Sequence, residues 1–416
     1  MSRIGQAGRT GVDVRSDCHV TCELRDGGGL DIEVQSKVAF LFGDKIREQV
    51  QQVLGQMRVE HAHVLVRDAG ALPFTIDARV QAAVLEADPE RPRESEFAAS
   101  LGWDKPTSRV RFRRSRLYLP GNEPKFMANA GLYGADGLIL DLEDSVAPAH
   151  KFAARYLVRN ALRALSFGDA ERMVRINQGE TGLADLDLLV EQNVHMVLIP
   201  KVESPDQVKL VDDRIASRLG SDHAVLLMPI IESAKGGWFA YDIAMAARSV
   251  VALAVGLEDY TADIGTRRTK EGRESLWLRQ QVINAARAAS VQPIDTVFSD
   301  VADEQGLRES VMEAKALGFD GKGCIHPRQI PVIHDAFAPT EAEIDHALKI
   351  VRAFEQAHEQ GLAAVSLGSK MIDPPVVKRA LHTVRLAAAC HLITKEQAGQ
   401  ALKESQDTRQ SQEQQR

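Results

Sequence analysis

From Ser115 onward the chain alternates short apolar runs with stretches of helical period. The runs at 115–120, 137–143, 172–177, 195–201, 224–232, 249–256, 294–299 and 319–325 predict eight strands. Strand-helix alternation predicts parallel strands with helices outside, and eight repeats predict closure into a barrel, giving an α/β fold class of the TIM (β/α)8 type. An open doubly wound sheet is the alternative, but no G-x-G-x-x-G fingerprint follows the first strand. Five runs end in charged residues: ILDLED (139–144), MVRIN (173–177), LIPKVES (198–204), LLMPIIES (226–233) and LAVGLED (253–259). In a barrel these ends gather at the C-terminal mouth, a place suited to holding a divalent cation.

The first 87 residues follow a different pattern. HVTCEL (19–24) and LDIEVQS (30–36) alternate like strands on either side of DGGG, which predicts a hairpin. Phe42, Ile46, Val50, Val53 and Leu54 then recur at helical spacing, HAHVLVRD (61–68) reads as a strand, and a turn at 69–72 leads into FTIDARVQAAVLEA (74–87). This is a small α+β unit. Residues 88–113 are charged, carry three prolines and read as a linker, with RVRFRRSR (109–116) as a solvent-facing stretch. The barrel is expected over 114–338 and a C-terminal helical lid over 339–405. In that lid, 340–361 is helical and LGSKMIDPPVVKRA (367–380) irregular, and 406–416 forms a disordered tail.

Composition narrows the function classes. A chain of 416 residues holds a barrel of about 250 residues plus a smaller unit. The net charge of −7 argues against a nucleic-acid surface. Cys18, Cys22, Cys324 and Cys390 are spaced too irregularly for a disulfide framework, which suggests reduced thiols and a cytoplasmic protein. No apolar stretch has the length or flanks of a membrane span or signal peptide.

The motifs RLYLPGN (116–122), LDLEDSVAP (140–148), VRIN (174–177), IPKVES (199–204), PIIES (229–233), VGLEDYTADIG (255–265), GKGCIHPRQI (321–330) and GSKMIDPP (368–375) resemble the citrate lyase β-subunit and malyl-CoA lyase family. AGRTGVDVRSDCHV (7–20), VAFLFGDKIREQV (38–50) and DAGALPFTIDARVQAAVLEA (68–87) resemble the citrate lyase γ-subunit, an acyl carrier protein. The chain thus reads as an acyl-carrier domain fused to a lyase. The resemblance implies a lyase cleaving a citryl thioester to oxaloacetate and an acetyl thioester. A malyl-CoA or citramalyl-CoA lyase acting on free acyl-CoA is the alternative, and a carrier and scaffold protein is the reading from another class.

That resemblance places Mg²⁺ ligation on Glu232 and Asp259, both also expected at the mouth from the runs before them. Arg175, ending the third strand, offers a planar partner for a substrate carboxylate, with an ion pair to Glu143 or Asp144 as the plain structural alternative. Those two acids are expected to support the metal or its water, and Lys201 and Glu203 to form a similar supporting pair. Asp373 in KMIDPP is the implied proton donor and acceptor; an N-cap before Pro374 is its other reading. Arg116 is expected to contact the thioester arm or substrate carboxylate, and His326 to pack. Ser16 aligns with the carrier's modified serine, implying a phosphoribosyl-dephospho-CoA group there, although Arg15 stands where the family has an acid. Cys18 and Cys22 read as packing residues. The family also implies an α-type acyltransferase partner and a homo-oligomer, trimeric or larger.

Overall fold

The computed structural model describes residues 3–91, 106–359, 365–367, 370–394 and 396–399; most of the expected linker and the tail at 406–416 lie outside them. The chain divides into two compact units, Met1–Ile330 and Pro331–Arg416.

The first unit opens with a four-stranded sheet. Its strands are β1 (Arg3–Gly8), β2 (Cys18–Leu24), β3 (Leu30–Ser36) and β4 (Ala62–Asp68), with helices α1 (Ala39–Gln56) and α2 (Pro73–Ala87). The order is β1-β2-β4-β3, so β2 and β3 do not form the expected hairpin. Instead β4 lies between them, antiparallel to β2 and parallel to β3. Two physical reasons decide this. Parallel pairing needs a long crossover, which the 18 residues of α1 supply. In addition, Ala62, Val64 and Val66 are fully buried and suit a central strand, whereas Asp31, Glu33 and Gln35 expose one side of β3 at an edge. In α1, Ile46, Val50, Val53 and Leu54 are buried as their spacing predicts, but Phe42 is half exposed. Strand β1 carries no alternation that would reveal it. Its Gly5 lets the chain lie against α2, since a Cβ there would fall 2.0 Å from the Ala83 carbonyl oxygen.

Eight parallel strands then close the barrel: β5 (Ser115–Pro120), β6 (Gly137–Asp141), β7 (Glu171–Arg175), β8 (Met196–Ile199), β9 (Leu226–Ile231), β10 (Ala252–Val255), β11 (Gln292–Asp295) and β12 (Gly321–Cys324). Ile139, Met173, Met196, Leu198, Met228, Ile230 and Ile294 fill the interior beneath Tyr118. Helices at 151–164, 179–189, 205–219, 276–288 and 304–317 surround the strands. Ser204 and Gln207 form a capping box at one helix start, satisfying two backbone donors.

The basic stretch before β5 is not a solvent face. Arg113 is fully buried and grips Glu171 with Nε to Oε2 at 2.6 Å and Nη2 to Oε1 at 2.8 Å. Burial of this cation is tolerated because a carboxylate matches its fork. Gly321 admits this segment: a Cβ there would meet the Arg113 carbonyl oxygen at 1.8 Å.

In the second unit, the helix Glu341–Glu359 packs with the helix Pro374–Ala389 through Ala347, Ile350, Val351, Val377, Leu381 and Val384. Of the stretch expected to be irregular, Leu367 and Lys370–Ile372 belong to the antiparallel pair β13 (Val365–Leu367) and β14 (Lys370–Ile372), strands too short to show a period, and Pro374–Ala380 to the helix. Among the described residues no helix is long and apolar enough to cross a membrane.

Candidate active site

In a parallel barrel every strand delivers its last residue to one rim, so the charged strand ends converge. Asp141 and Arg175 end neighbouring strands in register. Arg175 Nε lies 2.6 Å from Asp141 Oδ1 and Nη2 2.7 Å from Oδ2, while Nη1 lies 3.1 Å from Glu143 Oε2. The guanidinium also stands 5.1 Å over the Tyr118 ring. Asp141 is held in turn by the backbone N–H groups of Glu143 and Ser145. Three partners thus set one side chain. The expected pairing with Glu143 is present, and Asp144 is only 4.0 Å away. Asp141, however, is the principal partner; its signal was its place at the start of DLED, on the strand end itself.

Lys201 and Glu203 do not pair. Lys201 Nζ reaches Glu143 at 3.1 Å, Asp144 at 3.4 Å and Asp259 at 3.6 Å, whereas Glu203 meets Lys235 at 3.5 Å. The reason is local. Lys201 has φ of 50°, a left-handed conformation at the exit of β8 that aims its backbone N–H at Glu232 Oε1, 2.6 Å away.

Glu232 follows β9 and is 5% exposed; burial, opposed by the Lys201 N–H bond and aided by Asp259, pushes its pKa from the usual 4.5 to about 7. Glu143 is also raised, first by burial, while burial of Asp144 is outweighed by its bond to Glu143 and by Lys201, which lower it. Asp259 lies in the short helix Leu257–Asp263 after β10 and is about half exposed. Gly256 makes room for this arrangement, because a Cβ there would sit 2.2 Å from Glu232 Oε2. Its φ of −111° suits alanine, so steric contact is the whole penalty. Gly256→Ala is therefore expected to fold and to weaken Mg²⁺ binding by about tenfold, which titration calorimetry will measure.

No three His, Cys, Asp or Glu side chains converge on one point among the described residues. A cation here would rest on Glu232 and Asp259 with water and substrate oxygens, and that oxygen-only, two-carboxylate donor set fits Mg²⁺. A buried carboxylate held partly neutral by its surroundings fits as well, since a cation would restore its charge.

Arg116 is not at the rim: it is fully buried in the barrel interior near the start of β5, with Nη1 2.9 Å from Met228 Sδ and Nε without a hydrogen-bond partner. Asp373 belongs to the second unit, where its side chain accepts from the Val376 N–H at 3.3 Å and caps the helix beginning at Pro374. His326 accepts from the Arg328 N–H and shapes a turn. Ser16 is half buried with φ of 59°, and its N–H donates to the Ala69 carbonyl. Cys18 and Cys22 are fully buried; burial pushes the Cys22 thiol up to about 12, which removes it as a nucleophile near neutral pH.

Comparison with known proteins follows the same division. Residues 114–327 match the family described as HpcH/HpaI aldolase/citrate lyase. Residues 6–87 match an acyl-carrier family described as malonate decarboxylase delta subunit. The citrate lyase subunit beta of Leuconostoc mesenteroides subsp. cremoris is 38% identical over 295 residues, covering 69% of this chain and 97% of that protein. The mitochondrial citramalyl-CoA lyase of Homo sapiens is 33% identical over 293 residues, covering 67% and 86%. Among solved structures, CitE from Mycobacterium tuberculosis in complex with magnesium, acetoacetate and coenzyme A superimposes with a TM-score of 0.56 at 31% identity, covering 68% of this chain and all of that one.

Proposed function

We propose, from the fact that this chain belongs to the HpcH/HpaI aldolase/citrate lyase family and is a carbon-carbon lyase, that it cleaves a citryl thioester into oxaloacetate and an acetyl thioester. The observation that carries this reading is the rim network in which Arg175, Asp141, Glu143, Lys201, Glu232 and Asp259 meet.

Glu232 and Asp259 would hold Mg²⁺, whose chemistry when bound is to polarise the substrate oxygen and offset enolate charge. Arg175 orients the substrate. Asp141 takes two of its five N–H groups and Glu143 lies beside Nη1, so N–H groups on both Nη atoms remain for a planar carboxylate. Because Asp141 and Tyr118 already fix the guanidinium, little side-chain entropy is lost when substrate binds. Asp373 would exchange the proton at the enolate carbon, as general acid in cleavage and base in condensation.

Metal affinity gives a pH test. Glu232 sits near 7 without metal, so below that pH a proton must leave before Mg²⁺ binds. Mg²⁺ affinity is expected to rise as pH increases from 6 toward 8 by up to about tenfold per unit below the pKa. By linkage the metal-free protein loses stability as pH rises from 4.5 to about 7, because the raised pKa favours the neutral acid. Calorimetric titrations and melting curves at several pH values check both signs.

The thioester is carried by a phosphoribosyl-dephospho-CoA arm on Ser16 in this reading, delivered by an α-type acyltransferase subunit, with the lyase itself a trimer or larger homo-oligomer. Intact-mass spectrometry of protein from its native host, with peptide mapping around Ser16, tests the arm. An unmodified Ser16 together with turnover of free citryl-CoA would replace carrier-bound chemistry by free acyl-CoA chemistry. The 33% identity with citramalyl-CoA lyase favours a second reading, cleavage of a citramalyl or malyl thioester. Product analysis with citryl-CoA, citramalyl-CoA and malyl-CoA separates the two: oxaloacetate marks the first, pyruvate or glyoxylate the second.

A further inference from the structure

The carrier unit packs on the barrel through α2 and the helix 151–164, and an open cavity of ≈ 170 Å³ lies at the joint. Its wall includes Arg9 just after β1, His19 from β2, Arg79 from α2, Asn122 from the loop after β5, and His150 and Ala153 from the segment after β6. Loops that follow barrel strands belong to the C-terminal mouth, so Asn122 and His150 place the cavity at that end of the barrel.

Arg79 links the two parts. Within the carrier unit it grips the fully buried Asp17 with Nε at 2.9 Å and Nη2 at 3.0 Å, and the same Nη2 donates across the joint to the Asn122 carbonyl at 3.2 Å. Asp17 is the residue after Ser16, so this bridge holds the start of β2 beside the mouth. Arg9 pairs with Glu123 and lies 4.0 Å from Asp17.

The cavity wall is polar and incompletely satisfied. Among the described residues nine buried side-chain nitrogen or oxygen atoms lack a hydrogen-bond partner, and three of them, Arg9 Nε, His19 Nδ1 and Asn122 Oδ1, belong to residues that line this one space. Asn122 is 9% exposed. Such atoms are costly unless a polar group enters. Water alone would satisfy them, but two guanidinium groups and two imidazoles around one space suit an oxyanion. Asp17 and Glu123 already balance the two arginines. The balance therefore favours an oxyanion with a single charge per phosphorus, as in a phosphodiester or pyrophosphate, over a free dianion. Burial lowers the His19 pKa, keeping a neutral ring that can donate or accept. The volume takes a phosphate group and part of its chain.

We propose that this cavity is a phosphate-ester subsite that holds a phosphate of the thioester-bearing arm while the thioester reaches into the barrel mouth. The inference rests on the lyase reading above. The phosphate ester has two sources, a group attached to Ser16 or the pyrophosphate of free coenzyme A.

The test is calorimetric titration of the full chain, expressed without modification, with coenzyme A and separately with inorganic phosphate. Arg9→Gln, which removes the orphaned donor from a partly exposed residue, and Ala153→Leu, which fills the space and keeps every polar group, are each expected to weaken coenzyme A binding by about tenfold. Inorganic phosphate should bind more weakly than coenzyme A. Equal coenzyme A affinity in wild type, Arg9→Gln and Ala153→Leu would overturn the proposal and leave the cavity to water. Since Ala153→Leu changes a packed helix, its melting temperature is measured first; if it does not fold, Arg9→Gln decides alone. In protein from the native host, coenzyme A binding that is absent with Ser16 and restored by Ser16→Ala identifies the attached group as the occupant. Binding that is equal in both identifies the free ester. Mg²⁺-dependent turnover is followed in parallel. Turnover that persists with no effect of Arg9→Gln on binding removes the subsite alone, whereas no turnover on any of the three thioesters removes the lyase reading.

Discussion

Glu232→Gln is expected to lower the turnover number for Mg²⁺-dependent thioester cleavage by about 100- to 1,000-fold or more, the usual cost of losing one preorganised group that stabilises developing charge. The substitution keeps volume, and its amide oxygen still accepts from the Lys201 N–H that now bonds Oε1. The fold should therefore survive. Removing a buried charge that its surroundings already hold partly neutral should leave the metal-free melting temperature at neutral pH unchanged or higher. Metal affinity should fall with activity, because Asp259 alone is half exposed and lacks a buried partner oxygen. Steady-state kinetics across Mg²⁺ concentrations, with melting curves of both proteins, give the answer. Full activity in the variant would move the metal away from this strand end.

The second large effect concerns stability. Arg113→Met leaves Glu171, which has no exposed surface, without its bidentate cation, and breaking a buried pair from one side typically costs about 3–5 kcal/mol. Gln292 Oε1 also loses its Arg113 donor at the same spot. The double variant Arg113→Met/Glu171→Gln is expected to recover most of the loss, because the penalty lies in the stranded charge and not in the missing attraction. Urea denaturation followed through Trp238 and Trp277, whose rings lie 5.2 Å apart in the first unit, measures it. A single variant as stable as wild type would mean that Glu171 takes up a proton at little cost.

These two sites differ in how far the chain alone reveals them. Glu232 stands after six apolar residues in a repeating strand-helix pattern, and that periodicity suffices to place it at the mouth. Arg113 carries the opposite signal. It lies in a run of arginines that reads as solvent-facing, because charge is a sound guide to exposure until a matching carboxylate arrives from another strand. Arg116, in the same run, likewise lies inside the barrel under Tyr118. The pairing of Lys201 was hidden for a related reason. Its neighbour Glu203 is near in sequence, yet the left-handed backbone turns the side chain toward three acids from two other strand ends.

Strand order in the carrier unit shows the same limit. Alternation correctly marked β2, β3 and β4 as strands, but pairing depends on which neighbour buries the apolar face best, and β4 won the centre. By itself, the sequence determined the number of barrel strands, their parallel direction and the gathering of Arg175, Glu232 and Asp259 at one rim, because these follow from local period and from the geometry of a closed parallel sheet. Tertiary structure alone decided which charges compensate each other: Asp141 with Arg175, Glu171 with Arg113, and Asp17 with Arg79 inside the carrier unit. Electrostatic pairing acts through space at a few ångströms, and residues as much as 62 positions apart in the chain meet only once the backbone has closed.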